Sequence, residues 1–416
     1  MGLPVDARAV EAAWDRVRDV VRTTPLECSE RLSSEVGQPV WLKREDLQQC
    51  RSFKVRGAYA KMSSLSEAER AAGVVCASAG NHAQGVAFAC SRLGIRGTIF
   101  LPASTPRQKR HRISTIGGKW VEQVIVAGNF DEANQVAQER ARAEGCVYVH
   151  PYDDVDVMAG QGSVAVQLGE QMPENTEAVL IPVGGGGLIA GMGAWLRERR
   201  PGVRIIGVES EGAASMRQAL AAGEPVSLDR VDSFVDGTAV GRAGEETFRV
   251  VREVVDDIVV VPEGAVCTEM LELYHSEGVI AEPAGALAAA AARRYLPQIP
   301  NGPIVCVVSG GNNDLSRYAE VLERSARHEG LRHYFLVRFN QEPGALRGFL
   351  NDVLIEGEDI VYFQYTKKNN RDTGPALVGI ELSDPGHIRG LRSRMAASPL
   401  HVEEVSPDSA IFNLLV

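Results

Sequence analysis

One lysine of this chain lies in an apolar setting that suits covalent chemistry. The segment SFKVRGAYAK, residues 52–61, has Lys54 between Phe53 and Val55. A lysine amine in a dry or cation-flanked pocket gives up its proton more readily, and the neutral amine forms Schiff bases with carbonyl compounds. Arg56 is a nearby cation, but the sequence does not show which way it faces. Most lysines are solvated surface cations, so this segment alone leaves both interpretations open.

A run of four glycines, residues 184–187, predicts an anion-binding loop. It follows the apolar run VLIPV and precedes LIAGMGAWLRERR, which has a helical pattern. Glycines let backbone N–H groups converge without a Cβ atom in the way, and a helix N-terminus adds partial positive charge. Phosphate is the expected ligand, and a tight turn that only packs helix against strand is the simpler alternative.

A dinucleotide-binding fingerprint competes with that interpretation. Gly185, Gly187 and Ala190 fit the pattern G-x-G-x-x-A. Glu209 ends the next predicted strand, about where an acid that binds a ribose is expected. The glycines alone do not decide between a single phosphate and a dinucleotide.

Two further polar segments follow predicted strands. Residues 78–82 read SAGNH after GVVCA, and residues 309–313 read SGGNN after IVCVV. Free N–H groups at a helix start, with serine and asparagine donors, suit a carboxylate, although an ordinary helix cap is the alternative. For His82 alone, a structural role is a better interpretation than that of a catalytic base.

These segments need a scaffold, and the pattern of the chain predicts one. From about residue 70 to 310, short apolar runs alternate with helical patterns. Strands that are apolar on both faces and separated by helices indicate an α/β fold with parallel sheets, whose ligands bind at the carboxyl ends of the strands. We therefore expect a catalytic domain over residues 1–324, with a smaller lobe at roughly 55–150.

The pattern changes after about residue 325. Strand and helix signals follow in the order β-α-β-β-α-β, which is the ferredoxin-like plan, and the strand-like segments at its end are HVEEV and AIFNLLV, residues 401–405 and 410–416. This predicts a second domain over residues 325–416. The segment RYAEVLERSARHEGLR is the expected boundary region.

Composition excludes several classes of function. The chain has 416 residues and a net charge of −10, which gives no support for a nucleic-acid or membrane-surface partner. Its seven cysteines are scattered without CxxC pairs, so we expect free thiols and neither a disulfide framework nor a zinc knuckle, and no metal-ligand cluster is recognisable. Neither a leader nor an apolar run of membrane-spanning length is recognisable, so we expect a cytoplasmic protein.

Taken in chain order, the motifs resemble one family of enzymes. KREDLQQCRSFKVRGA, SAGNHAQGVA, PVGGGGLIAG, AEPAGA and VVSGGNND occur in the order found in pyridoxal-phosphate enzymes of the tryptophan-synthase β-like class, fold type II. The chain looks most like the biosynthetic threonine dehydratases, and the resemblance covers nearly its whole length. The dinucleotide interpretation accounts for neither Lys54 nor Ser309.

The resemblance implies a role for each matched position. Lys54 would be the catalytic residue, holding the cofactor aldehyde as a Schiff base and removing the α-proton of the substrate. Asn81 would bind the ring hydroxyl, and Ser309 would face the pyridine nitrogen. The implied cofactor-binding residues are Phe53, Lys54, Asn81, Gly184, Gly185, Gly186, Gly187, Leu188 and Ser309. The implied substrate-binding residues are Ser78, Ala79, Gly80, Asn81 and His82.

The resemblance also implies a reaction and its regulation. The expected substrate is L-threonine, with L-serine secondary, and the products are 2-oxobutanoate and ammonia. Ala79 favours a dehydratase, because serine racemases of this fold carry serine there. The C-terminal domain looks like one ACT-like regulatory unit, which implies a homotetramer inhibited by isoleucine, with valine as antagonist. A catabolic serine/threonine dehydratase, an NAD oxidoreductase and a non-catalytic amino-acid sensor are the alternatives.

Overall fold

The chain divides into two units, Met1–Asp314 and Leu315–Val416. The computed structural model describes residues 2–296, 301–367, 372–406 and 409, so the strand expected at 410–416 lies outside the described residues. The helix Tyr318–His328, which we expected at the boundary, belongs to the second unit. The domain limits 1–324 and 325–416 stay a prediction.

The strands have the following bounds. They are β1 (Leu26–Ser29), β2 (Val40–Arg44), β3 (Val74–Ala77), β4 (Gly97–Pro102), β5 (Val121–Val126), β6 (Val147–Tyr148), β7 (Ala178–Pro182), β8 (Arg204–Ser210), β9 (Asp257–Val261), β10 (Ile304–Val308), β11 (Arg332–Asn340), β12 (Glu358–Tyr365), β13 (Thr373–Leu382) and β14 (His401–Glu404).

The α-helices are interspersed among them. They are α1 (Ala7–Val17), α2 (Glu30–Val36), α3 (Lys54–Ser63), α4 (Glu67–Ala72), α5 (Asn81–Leu93), α6 (Arg107–Gly117), α7 (Phe130–Glu144), α8 (Val155–Gln171), α9 (Gly187–Arg199), α10 (Ser215–Ala222), α11 (Glu245–Val254), α12 (Glu263–Glu277), α13 (Pro283–Arg294), α14 (Tyr318–His328), α15 (Ala345–Asp352) and α16 (Ile388–Ala397).

The first unit is built on two sheets. The larger has the order β1-β2-β10-β7-β8-β9, and only the β1–β2 pairing is antiparallel. The smaller has the order β5-β4-β3-β6 and is parallel throughout. Every residue of β7 and β10 is buried, as expected for strands covered on both faces. The predicted α/β class is confirmed.

Close helix packing positions α3, which begins at Lys54. A Cβ atom on Gly160 of α8 would lie 2.7 Å from the Cα atom of Gly57 in α3, so the two backbones touch where glycines face each other. Residues Val157 to Leu168 of α8 are all buried. Because no side chain separates the helices here, α3 is held rigidly against the core.

The second unit has the ferredoxin-like order of elements. Its sheet runs β12-β13-β11-β14, with every pairing antiparallel, and α15 and α16 supply core side chains. Phe335 and Val337 of β11 and Phe349 of α15 are buried in that core. Alternate residues of β11, namely Phe335, Val337 and Phe339, are buried in this core, as in a strand with one covered face.

Candidate active site

Lys54 is a partly buried residue whose amine has a neutral partner. Its Nζ donates to the carbonyl oxygen of Pro151 at 2.8 Å and lies 5.2 Å from the centre of the Phe53 ring. Burial lowers the pKa of the Lys54 amine to about 8, and the charge of Glu282 opposes that shift. A substantial fraction of the amine is therefore neutral near physiological pH, as a Schiff-base lysine requires.

Arg56 is not the group that lowers the pKa of Lys54. Its guanidinium is fully buried, pairs with Glu45 at 2.8 Å and donates to Gln167 at 2.8 Å. Arg56 therefore belongs to a separate charged network behind α3. Dehydration, rather than a neighbouring cation, makes Lys54 a weak base.

The glycine loop, residues 184–187, joins β7 to α9 in a space that excludes side chains. A Cβ atom on Gly185 would lie 2.3 Å from the Tyr152 ring, and one on Gly184 would lie 2.9 Å from the Cα atom of Thr238. Thr247 Oγ1 donates to the Gly185 carbonyl at 2.6 Å and fixes the peptide. The first N–H groups of α9, including that of Leu188, have no intrahelical acceptor, so this loop presents donors to an anion.

Glu209, which supported the dinucleotide interpretation, is engaged elsewhere. Its buried carboxylate accepts N–H groups from Met216 at 2.8 Å and Arg217 at 2.9 Å, at the start of α10. Burial raises the pKa of Glu209 to about 7. The Glu209 carboxylate thus binds the N-terminal N–H groups of α10 and does not offer its oxygens to a ribose.

The asparagine loop, residues 78–82, follows β3 and opens α5. The Gly80 N–H donates to Ser78 Oγ at 3.2 Å, and Ala79 packs against the core of the smaller sheet. The N-cap of α5 is Gly80, which has no side chain, and Asn81, the first residue of the helix, donates from Nδ2 to Glu282 Oε1 at 2.6 Å. The alternative of a simple helix cap is therefore wrong for Asn81.

His82 is held in a neutral state. Its Nε2 lies 2.8 Å from the carbonyl oxygen of Val149, which only accepts, so Nε2 carries the proton. Burial lowers the pKa of His82 to about 3. An imidazole this resistant to protonation is a poor general base, which agrees with the structural role favoured by the sequence.

Main-chain contacts place Ser309 beside the lysine segment, residues 52–61. It follows β10, its carbonyl oxygen accepts the Phe53 N–H at 3.2 Å, and Ser52 forms an isolated bridge with Gly310. Ser309 Oγ donates to the carbonyl of Ala284 at 3.2 Å. The carboxyl end of β10 therefore lies beside the start of α3.

Two parts of the site were missed by sequence reasoning. Glu282 lies within the AEPAGA motif, but no role was predicted for it; burial raises its pKa to about 7. The 150–153 loop supplies the Pro151 carbonyl to Lys54 and the Tyr152 ring to the glycine loop. His150 Nδ1 shapes this loop by accepting the Asp153 N–H at 2.7 Å. The signal available for Glu282 was an acid directly before a helix-starting proline.

The described part of the chain contains neither a metal-binding cluster nor a membrane-spanning helix. No group of three or more His, Cys, Asp or Glu side chains among the described residues is arranged to hold a metal ion. No helix there is long and apolar enough to span a membrane.

Comparison with known proteins gives the class first. Residues 17–310 match the family described as pyridoxal-phosphate dependent enzymes, and residues 323–415 match the C-terminal regulatory domain of threonine dehydratase. The two sheets, the partly buried lysine and the glycine loop accordingly define a fold type II pyridoxal-phosphate enzyme with a regulatory domain.

The most similar relatives narrow the class. The biosynthetic L-threonine dehydratase of Mycobacterium tuberculosis is 51% identical over 98% of this chain and 95% of its own length. That of Bacillus subtilis is 50% identical over 99% of this chain and 98% of its own length. The chain belongs to the family of biosynthetic L-threonine dehydratases, and the resemblance stated from the motifs is confirmed.

Solved structures agree with this assignment. The processed form of threonine deaminase isoform 2 from Solanum lycopersicum has a TM-score of 0.72 and 40% identity, covering 77% of this chain and 94% of that one. Maize serine racemase has the same TM-score of 0.72 with 30% identity, over 78% of this chain and 99% of its own.

The residues present fit pyridoxal phosphate, the cofactor of this family. Lys54 is a partly buried amine without a carboxylate bonded to it, and the glycine loop offers N–H donors where Cβ atoms would clash. Both features meet the needs of the cofactor, since its aldehyde requires a neutral amine and its phosphate a dense set of donors.

Proposed function

We propose that this chain converts L-threonine to 2-oxobutanoate and ammonia, the first step of isoleucine biosynthesis, and uses L-serine as a secondary substrate. The observation that carries the proposal is the Lys54 amine, which donates to the neutral Pro151 carbonyl at 2.8 Å and whose pKa burial lowers to about 8, in a chain that is 51% identical to a biosynthetic L-threonine dehydratase. An amine of that basicity both accepts and returns a proton near neutral pH.

Each residue of the site has a definite task in this proposal. Lys54 holds the cofactor, then takes the α-proton of threonine on its Nζ atom. When bound, pyridoxal phosphate supplies the electron sink that makes that proton acidic. When the cofactor is bound, Asn81 would donate to its ring hydroxyl, and residues 184–188 would hold its phosphate through their N–H groups. Ser309 would offer a neutral hydroxyl to the pyridine nitrogen, and Phe53 would pack against the ring.

The substrate carboxylate is assigned to the asparagine loop. The Ser78 hydroxyl and the Asn81 N–H provide donors at the N-terminus of α5, where the helix dipole favours an anion. Ala79 offers no hydroxyl to return a proton to the opposite face of the substrate. This supports elimination over racemisation, although maize serine racemase shares the fold.

A substrate panel with detection of 2-oxo acids tests the proposal. The purified chain should show a visible absorption band that borohydride bleaches, and it should release 2-oxobutanoate from L-threonine faster than pyruvate from L-serine. Faster turnover of serine would favour a catabolic serine/threonine dehydratase. Absence of both band and turnover would leave the sensor alternative.

For the second unit we propose feedback control. The match of residues 323–415 to the regulatory domain of threonine dehydratase supports isoleucine as inhibitor, valine as antagonist and a homotetramer as the assembly. Isoleucine should raise the threonine concentration needed for half-maximal rate, and valine should reverse the effect. If isoleucine changed neither the saturation curve nor thermal stability, the unit would serve assembly only. Light scattering would measure the oligomeric state.

A further inference from the structure

Glu282 directs its carboxylate away from the helix that it precedes. It is the N-cap residue of α13, with Pro283 at the first helical position, yet its side chain makes no capping hydrogen bond. An acid at this position ordinarily folds back onto the first N–H groups of its own helix. Here Oε1 instead accepts Asn81 Nδ2 at 2.6 Å, and the residue is 5% exposed.

The Glu282 carboxylate lies so close to the backbone at Gly310 that no side chain fits at that position. A Cβ atom on Gly310 would lie 2.1 Å from Glu282 Oε1, so no other amino acid fits at position 310 without moving that carboxylate. The Gly310 carbonyl also accepts the Glu282 N–H at 3.1 Å. The chain directly after Ser309 is therefore shaped around this acid.

A directed chain of amides ends at Glu282. Asn312 Nδ2 donates to the Cys50 carbonyl at 2.8 Å and to Asn81 Oδ1 at 2.6 Å. A carbonyl only accepts, so the Asn312 amide has one allowed orientation, and Asn81 must then turn its Nδ2 toward Glu282. The second hydrogen on Asn81 Nδ2 stays available to a ligand.

Charged groups face Glu282 from several elements. Lys54 lies within electrostatic range on α3, Lys109 and Arg112 on α6, and Asp236 on the segment that follows β8 and α10. Lys109 and Asp236 pair with each other at 2.8 Å. Glu282 is the carboxylate whose charge favours the protonated form of the Lys54 amine.

We propose that Glu282 is a positioning residue for the reaction: its carboxylate holds the Asn81 carboxamide in one orientation and keeps a negative charge facing Lys54. This inference rests on the proposed function, because it concerns the same lysine and the same cofactor. It assigns Glu282 no contact with the substrate.

The pH dependence of cofactor attachment tests the charge. Full-length apoenzyme is mixed with pyridoxal phosphate over a range of pH, and the growth of the visible band is followed. In the wild type the rate should rise with a midpoint near pH 8, where Lys54 becomes neutral. E282Q removes the negative charge, so the midpoint should move down by about one pH unit. E282D keeps the charge one methylene further away and should move it less.

A matched control separates this effect from the loss of any buried carboxylate. Glu269 is also buried, with its pKa raised to about 7, but it pairs with Arg31 on α2. E269Q should leave the midpoint unchanged. An E282Q midpoint equal to that of the wild type would overturn the inference. If E282Q does not fold, E282A, which also removes the charge, takes its place, and an E282A midpoint equal to that of the wild type would do the same.

A double-mutant cycle tests the orientation of Asn81. E282Q and N81A should each shift the absorption maximum of the bound cofactor, and the double variant should show little more than the larger single shift. Additive shifts would contradict the coupling. Failure of the wild-type chain to form any visible band would instead overturn the proposed function, so the two failures are distinguishable.

Discussion

The Nζ atom of Lys54 and the carbonyl oxygen of Pro151 lie 2.8 Å apart. A carbonyl binds either an ammonium or a neutral amine, because both keep a hydrogen to donate. A carboxylate in the same place would hold Lys54 as a cation. This contact between α3 and the 150–153 loop orients the amine while leaving its proton exchangeable.

Replacing Lys54 by alanine should abolish turnover and the borohydride-sensitive visible band together. The physical reason is that no covalent bond to the cofactor aldehyde is then formed. The measurement is an absorption spectrum beside a 2-oxo acid assay. Lys61, on the same helix and paired with Asp154 at 2.8 Å, is the matched control, and K61A should keep both signals. Normal turnover by K54A would sink the assignment.

Gly185→Ala should weaken cofactor binding. Its Cβ would lie 2.3 Å from the Tyr152 ring, so either the ring or the glycine loop must move. We expect the dissociation constant for pyridoxal phosphate to rise by about tenfold or more, which is about 1.4 kcal/mol. Titration of apoenzyme measures it. Gly202→Ala, whose Cβ would meet nothing within 4 Å, should bind as the wild type does.

Glu45→Gln should destabilise the first unit strongly. Glu45 and Arg56 are both fully buried and 2.8 Å apart, so the change leaves Arg56 as an uncompensated buried charge. We expect a loss of about 3–5 kcal/mol in the free energy of unfolding, measured with urea. Glu11→Gln removes an ion pair with Arg199 in which each side chain is 40% exposed. This change should alter the free energy of unfolding little. Equal losses would contradict this account.

His82 should make the fold sensitive to acid. In the folded chain its pKa is about 3, whereas its ordinary value is 6.5. As pH falls below 6.5, His82 therefore takes up a proton in the unfolded chain but stays neutral in the folded chain. The stabilisation is complete above that pH and is lost progressively toward about pH 3. Between about pH 7 and pH 5, the thermal midpoint of the wild type should fall more than that of H82Q. Parallel falls would show that other groups dominate.

The elements predicted from the sequence were those with a strong local pattern. β7 and β10 are uninterrupted apolar runs, and the glycine loop is recognisable without any neighbour. β1 was not predicted, because LECS mixes polar and apolar residues and pairs only at the sheet edge. A four-residue edge strand has too few alternations to show a period.

The missing parts of the site depend on partners far along the chain. Asn81 and Glu282 are 201 residues apart, and no pattern near either one announces the hydrogen bond between them. The contribution of Pro151 is a main-chain carbonyl, which every residue possesses. Sequence therefore identified side chains that carry chemistry in the family and missed groups whose role comes from placement alone.

The register of the large sheet has a consequence for how the protein is made. β2 lies between β1 and β10, with Val40 opposite Ile304 and Arg44 opposite Val308. A ribosome delivers β2 early and β10 only after nearly all of the first unit. Until then the inner edge of β2 is unpaired and exposed to other nascent chains. Lys54 and Ser309 therefore meet only after β10 has been synthesised, so a nascent chain that ends before Ile304–Val308 has no complete site.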